Sequence, residues 1–181
     1  MKFSVNQKDL QQSLGYCQGV IEKRSTLPIL SNILIEAQDS KLKITATDLD
    51  LIFVNEIQNV EVIEEGKTTT TSSTLYDIIR KFSSGKKINF NLTSENKIQI
   101  ESEKSVFNLN CMSATEFPLT DENFNENEFT INAKQFLKLL NKCKFSISND
   151  ETRHYLSGIY IHQNHIEEKS YLTAAATDSH R

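Results

Sequence analysis

The strongest constraint on this chain is an internal repeat. Segments of the first half recur in the same order in the second half, at a shift of 126 residues that becomes 130 near the end. The matched pairs are 3–21 with 129–147, 31–35 with 157–161, and 42–48 with 172–178. Several matches in one order indicate two copies of one supersecondary unit. The chain is therefore expected to contain two domains of the same fold.

Each copy shows the same succession of predicted elements. Apolar residues at helical spacing predict a first helix over Gln7–Lys23, and its repeat predicts a helix over 132–145, for which Asn132 is a suitable N-cap. Another helix is predicted from Ser73 to the residues before Gly85. Short segments of alternating or continuous apolar residues predict strands joined by tight turns. The expected fold class is α+β, with two helices per domain packed on antiparallel sheets.

The domain boundary is predicted from composition. The segment 116–129 is acidic, rich in asparagine and contains Pro118, which is typical of a linker. The first domain then covers 1–126 and is expected to be complete. The second domain covers 127–181 and is expected to break off less than halfway, because its last segment repeats a strand from the early part of the first copy.

Composition also narrows the compartment and the chemistry. No apolar run approaches the roughly 18 residues of a membrane helix, and the first residues lack the apolar centre of a secretory signal. Three cysteines without metal-ligand spacing predict reduced, buried thiols in a cytoplasmic protein with no membrane partner. The chain has five glycines and no glycine-rich phosphate loop, and no cofactor is expected.

Charge is unevenly distributed along the sequence. The net charge is −4, yet the predicted helices with their ends hold eleven basic and three acidic residues, a net charge of +8. The remaining residues carry a net charge of −12. In the third helix Lys134, Lys138 and Lys142 share one face because they are four residues apart, and no carboxylate accompanies them.

Two interpretations of this lysine row are open. A single amphipathic helix with lysines on its wet side is common on protein surfaces. Three such helices in an acidic protein instead indicate one basic surface, which attracts the phosphates of nucleic acid without reading its sequence. Lysine-rich helices with few aromatic residues suit contact with the DNA backbone rather than stacking on bases.

The sequence resembles a known family, the bacterial sliding clamp, which is the beta subunit of the replicative DNA polymerase III. The resemblance covers the whole chain and rests on these stretches, in order: MKFSV (1–5), RSTLPILSNILIEA (24–37), LKITATDLDL (42–51), EFP (116–118), TRHYLSGIYI (152–161) and LTAAATDSHR (172–181). It implies the DNA-clamp fold, with three domains per chain, of which the third is absent here. It further implies a ring of two chains, head to tail, whose helices line a hole for duplex DNA. Such a protein is a non-catalytic processivity factor.

The resemblance and the helix charges together give candidate site residues. The expected DNA contacts are Arg24, Arg80, Lys138, Lys142, Arg153, His154 and Tyr155, of which His154 stands where the family usually has tyrosine. The family pocket that accepts a short linear peptide from the replicative polymerase, the clamp loader and repair proteins matches Leu156, Thr177, Ser179, His180 and Arg181, and Ser179 stands where glycine is usual. The head-to-tail homodimer interface matches Ile78, Phe82, Phe107 and Leu109.

A metal-dependent enzyme is the alternative to a sliding clamp. Asp48 and Asp178 occupy the same position in the two copies and could hold a metal ion in a metal-dependent nuclease or phosphodiesterase. The other interpretation is that each aspartate ends a strand and shapes the turn that follows. Cleavage of labelled DNA with Mg²⁺ or Mn²⁺, lost in an Asp48→Ala variant, separates the two.

Overall fold

A computed structural model describes residues 1–21, 26–94, 96–119 and 130–181, the last range without the side chain of Glu151. These residues form three α-helices and eleven strands. The helices are α1 (Gln7–Cys17), α2 (Ser72–Ile79) and α3 (Ala133–Cys143). The strands are β1 (Lys2–Asn6), β2 (Asn32–Gln38), β3 (Lys41–Thr47), β4 (Ile52–Ile57), β5 (Glu61–Glu64), β6 (Gly66–Thr71), β7 (Lys87–Ser94), β8 (Lys97–Ser102), β9 (Ser105–Met112), β10 (Tyr160–Ile166) and β11 (Lys169–Ala175).

The chain divides into two compact units, one within residues 1–121 and one within 122–181. The predicted domain boundary at residue 126 falls in 120–129, outside the described residues.

The first unit is a nine-stranded sheet with two helices packed on it. The strand order is β4-β3-β2-β6-β9-β8-β7-β1-β5, and every neighbouring pair is antiparallel. Alternating residues of the strands and one face of each helix share a single buried core, in which Leu14 and Leu75 of the helices lie with Ile44 and Ile98 of the strands. This confirms the α+β fold class and the placement of two helices on antiparallel sheet.

The second unit consists of α3, two short 3₁₀ segments and the hairpin β10–β11. The helix packs against β11, and the Cys143 thiol donates a hydrogen bond to the carbonyl of Ala174 at 3.4 Å. Among the described residues of this unit, no apolar side chain is fully buried. Its core is therefore much thinner than the core of the first unit.

The structure shows the internal repeat element by element. Helix α3 begins and ends 126 residues after α1, and both start at an asparagine N-cap whose side chain accepts from the backbone N–H two residues on. The hairpins β2–β3 and β10–β11 lie 128 residues apart and turn through equivalent pairs with positive φ, 39–40 and 167–168. The four extra residues of the second copy are thus divided equally, two before the hairpin and two after it. Within the strands the structure therefore corrects the sequence pairings of 32–35 with 158–161 and of 42–47 with 172–177 by two residues each.

Both helices of the first unit are shorter than the sequence predicted. Helix α1 ends at Cys17 rather than Lys23, because Gly19 follows and the chain turns so that the N–H groups of Val20 and Ile21 both donate to the Cys17 carbonyl. Helix α2 ends at Ile79, before the Ser-Ser-Gly stretch that has poor helix propensity. The apolar residues that extended the predicted helices, Ile21 after α1 and Phe82 after α2, pack against the core but are not helical.

Candidate functional site

The most basic helix is α3. Lys134, Lys138 and Lys142 are all exposed, and none of them makes an ion pair with another described residue. The opposite side of the helix carries Phe136 and Leu140, which are half-buried. The result is a continuous row of three ammonium groups with no carboxylate within the helix.

The prediction of three basic helices is wrong for the first unit. Within the observed helix bounds, the three helices hold four bases and two acids, a net charge of +2, whereas the predicted +8 also counted the residues at the helix ends. Helix α1 has one lysine and one aspartate, and α2 has one aspartate and no base. The basic residues that the prediction assigned to α1 and α2 lie in the segments that follow these helices. Of the three helices, only α3 carries a net positive charge within its own bounds.

Two of the expected DNA contacts fall in those segments. Arg24 lies outside the described residues. Arg80 follows α2 and is exposed, with its guanidinium 3.1 Å from the Asp77 carboxylate and 6.0 Å from the centre of the Tyr76 ring. A surface pair of this kind is weak, so the arginine can exchange its partner for a phosphate.

Three of the expected contacts of the second unit, Arg153, His154 and Tyr155, lie together in a 3₁₀ segment, Glu151–Leu156. Tyr155 is 72% exposed, and its ring meets the exposed His154 ring edge to face at 5.9 Å. Arg153 is only partly exposed and pairs with Asp150, its Nε lying 2.8 Å from Oδ2. The hydroxyl and the N–H of Thr152 and the Arg153 guanidinium together hold the pKa of the Asp150 carboxyl below its usual value.

A cleft of about 390 Å³ lies between the end of this segment and the hairpin β10–β11. Its walls are mostly apolar and are formed by Tyr155, Leu156, Gly158, Ile159, Tyr160, Ala175, Ala176 and Thr177. Two of the predicted pocket residues, Leu156 and Thr177, line it. The other three predicted pocket residues, Ser179, His180 and Arg181, lie in the turn that follows Thr177. The sequence does not identify the strand residues of the cleft, although they lie within or beside the repeated segments 157–161 and 172–178.

The turn after β11 is ordered by its own side chains. Thr177 accepts from the N–H of Ser179 at 3.1 Å, and Asp178 accepts from the N–H groups of His180 and Arg181 at 2.9 and 3.1 Å. The hydrogen bond from the His180 N–H lowers the pKa of the Asp178 carboxyl most, and the Arg181 guanidinium lowers it further. The Arg181 side chain also lies over the Phe145 ring at 5.7 Å, so its position is fixed from two sides.

The same turn occurs in the first unit. Thr47 accepts from Leu49 at 3.0 Å, and Asp48 accepts from Asp50 and Leu51 at 3.0 and 2.7 Å. The strand-end interpretation of Asp48 therefore matches its contacts, and Asp178 makes the same ones in the second unit. Among the described residues, no group of three or more His, Cys, Asp or Glu side chains could hold a metal ion.

Two of the four expected interface residues, Phe107 and Leu109, lie on a strand with an open edge. Residues 105–110 of β9 pair with β8 on one side only, because β6 pairs with β9 only at 111–112. Phe107 meets Phe82 edge to face at 5.8 Å, while Leu109 lies half-buried against the core. Ile78 on α2 is half-buried. A row of unpaired backbone groups beside exposed apolar side chains is a ready site for strand addition.

Comparison with known proteins decides the family. Two family profiles match the chain in order: "DNA polymerase III beta subunit, N-terminal domain" over residues 1–121 and "DNA polymerase III beta subunit, central domain" over 130–181. The chain belongs to the DNA polymerase III beta subunit family. The beta sliding clamp of Caulobacter vibrioides is 34% identical over 183 residues, covering 100% of this chain and 49% of the relative.

Solved sliding clamps share the fold of this chain. A clamp from Caulobacter crescentus superposes with a TM-score of 0.94 at 34% identity, over 99% of this chain and 48% of that one. A clamp from Bartonella birtlesii bound to griselimycin superposes with a TM-score of 0.93 at 35% identity, over 99% and 48%. The chain thus spans about half the length of the clamps it matches. None of the helices in the described ranges is long and apolar enough to cross a membrane.

Proposed function

We propose that this chain is part of a DNA sliding clamp, a ring that encircles duplex DNA and tethers the replicative polymerase. The observation that carries the proposal is the match of two beta subunit domains, in order, over the described length of both units. A ring holds DNA by topology, so its contacts can be weak and need no base recognition. The exposed lysine row of α3 supports a contact of that kind, because point charges attract phosphates without fixing the protein to one site.

In this proposal the DNA-facing residues are those that the sequence indicated. Lys138 and Lys142 supply two exposed positive charges on one face of α3. Arg153, with its neighbours His154 and Tyr155, lies in an exposed segment of the same unit. Arg80 contributes from the first unit after exchanging Asp77 for a phosphate. The clamp itself cuts nothing, and it works in the cytoplasm, where the replicative polymerase acts.

The ring requires a second chain, and we assign the open edge of β9 to that homodimer interface. An incoming strand would pair with residues 105–110 and cover Phe107. The proposal also includes a partner-peptide pocket at the cleft beside β10–β11. Its apolar walls would accept a short linear peptide from the polymerase, the clamp loader or a repair protein, with the 177–181 turn at its rim.

The experiment that tests DNA contact is a charge reversal with a matched control. The variant Lys138→Glu/Lys142→Glu is compared with Lys41→Glu/Lys97→Glu, which changes the charge equally. Both control lysines are exposed, and they lie on the strand faces that point away from the core, next to the buried Leu42 and Ile98. Affinity for a fluorescein-labelled duplex is measured by anisotropy between about 50 and 200 mM salt.

Losing two phosphate contacts lowers the slope of log K against log salt by about two, whereas the control keeps the slope. Equal losses in both variants would show a general charge effect and refute α3 as the DNA contact. Unchanged binding in the α3 variant would refute it as well.

A further inference from the structure

Arg153 joins two segments of the second unit that are far apart in sequence. Its Nε donates to Asp150 Oδ2 at 2.8 Å, and its Nη1 donates to Ser179 Oγ at 3.3 Å. The side chain is 37% exposed, and its backbone has a non-helical conformation within the 3₁₀ segment. The guanidinium is therefore held from two directions, by a carboxylate before it and by a hydroxyl from the turn after β11.

Ser179 holds this place in a backbone conformation that costs energy. Its φ is +75°, in the left-handed region where a side chain is disfavoured by about 1 kcal/mol or more. The equivalent residue of the first unit, Leu49, has φ +82° and no hydroxyl to offer. The backbone of the turn is thus a property of the repeat, while the hydroxyl bond to Arg153 is a property of the second copy alone.

We propose that Ser179 and Asp150 are positioning residues that hold the Arg153 guanidinium for a DNA phosphate. This inference rests on the proposed function and adds a specific role for two residues outside the lysine row. A guanidinium has five N–H donors, and the two observed bonds use one from Nε and one from Nη1. Three donors remain for phosphate oxygens, and an arginine already held in one rotamer loses less entropy when it binds.

The first test is a double-mutant cycle with the unmodified 181-residue chain as reference. The variants are Ser179→Ala, Ser179→Gly, Arg153→Ala and the double variant Arg153→Ala/Ser179→Ala, each titrated with a labelled duplex at several salt concentrations. Alanine and glycine both remove the hydroxyl, but only glycine relieves the positive φ. Equal affinity in these two variants would therefore show that the hydroxyl, and not backbone strain, sets the DNA contact.

Loss of this exposed hydrogen bond from the guanidinium at 3.3 Å predicts an affinity about two- to tenfold weaker in both Ser179 variants, with an unchanged salt slope. Arg153→Ala lowers the slope by about one, and Ser179→Ala has no further effect in that background. Wild-type affinity in Ser179→Ala would overturn the inference. A Ser179→Ala effect that persists without Arg153 would also overturn it.

A second measurement tests the bridge without DNA. The Nε–H of Arg153 is followed by NMR, and its order should fall in Ser179→Ala and in Asp150→Asn. An Nε–H that is equally mobile in all three proteins overturns the inference. If the unmodified chain binds no duplex, the DNA contacts in the proposed function fail and the DNA role of the bridge fails with them. An ordered Nε–H would then show that the bridge itself exists for another reason.

Discussion

Leu14 and Leu140 hold the same place in the two copies of the repeat, but they differ in burial. Leu14 on α1 is 0% exposed and belongs to the large core of the first unit. Leu140 on α3 is half-buried, in a unit whose described residues include no fully buried apolar side chain. The same substitution, leucine to alanine, should therefore have very different consequences at the two positions.

The expected magnitudes follow from this burial. Truncating a fully buried leucine removes its transfer free energy and leaves a cavity, so Leu14→Ala should lower the free energy of unfolding of the first unit by about 3 kcal/mol. That loss corresponds to roughly 12 °C in Tm for a domain of this size. Leu140 already contacts water, so Leu140→Ala should cost about 1 kcal/mol in the second unit.

Hydrogen exchange with mass spectrometry measures both losses in one experiment, because it reports each unit separately. The chain has no tryptophan, which makes local exchange more informative than fluorescence. In the unmodified protein, peptides from 1–21 and 96–112 should exchange far more slowly than peptides from 144–181. Leu14→Ala should speed exchange in the first unit only. The reasoning is refuted if Leu140→Ala costs as much as Leu14→Ala, or if Leu14→Ala costs less than about 1 kcal/mol.

Three further outcomes follow from single contacts. In the protein that carries this chain, Phe107→Glu should abolish the dimer because it puts a charge on the open edge of β9, and sedimentation measures the loss. Val106→Glu, on the other face of β9, is the control and should leave the dimer intact. Dimers in both variants would refute the assignment of this edge to the interface. The depressed pKa of Asp178 means that its turn is fully stabilised above the ordinary carboxyl pKa of 3.8 and loses that stabilisation as pH falls through the lower folded value. Carbon-13 NMR of the carboxyl checks this, and a midpoint at or above 3.8 would contradict it. Burial raises the pKa of Cys17 to about 12, so an alkylating reagent at pH 8 should modify the half-buried Cys143 first, as peptide mapping would show; equal rates would contradict it.

The sequence predicts those parts of this fold that are set by local patterns. The start of α3 at Asn132 is confirmed because an asparagine side chain can satisfy the first free N–H groups of a helix wherever it occurs. The prediction that tight turns join the strands is confirmed at 39–40, where both residues have a positive φ. The ends of α1 at Cys17 and of α2 at Ile79 could not be predicted. The apolar residues that follow them, such as Ile21 and Phe82, pack against the core from turns, and their spacing in the sequence is the same as in a helix.

The candidate site is predictable in part for the same reason. The lysine row of α3 follows from helical spacing alone, and the structure shows all three lysines exposed. The cleft could not be predicted, because it depends on which strand residues the register of β10 and β11 brings beside Leu156. The Arg153–Ser179 bond could not be predicted either, since it joins residues 26 positions apart through a turn whose positive φ no local pattern requires.

The repeated turn shows how one backbone can serve two purposes. Both copies keep a threonine and an aspartate that accept from equivalent N–H groups, and in both the residue directly after the aspartate has a positive φ. The threonine, the aspartate and the backbone conformation define the shape, so the side chains of the next three positions are free to differ. In the first unit they are Leu49, Asp50 and Leu51, with both leucines more than half exposed. In the second they are Ser179, His180 and Arg181, which are polar or basic and lie beside the cleft. Since the backbones match, the chemical difference must come from these side chains, and the second copy alone acquires a hydroxyl that reaches a candidate DNA contact.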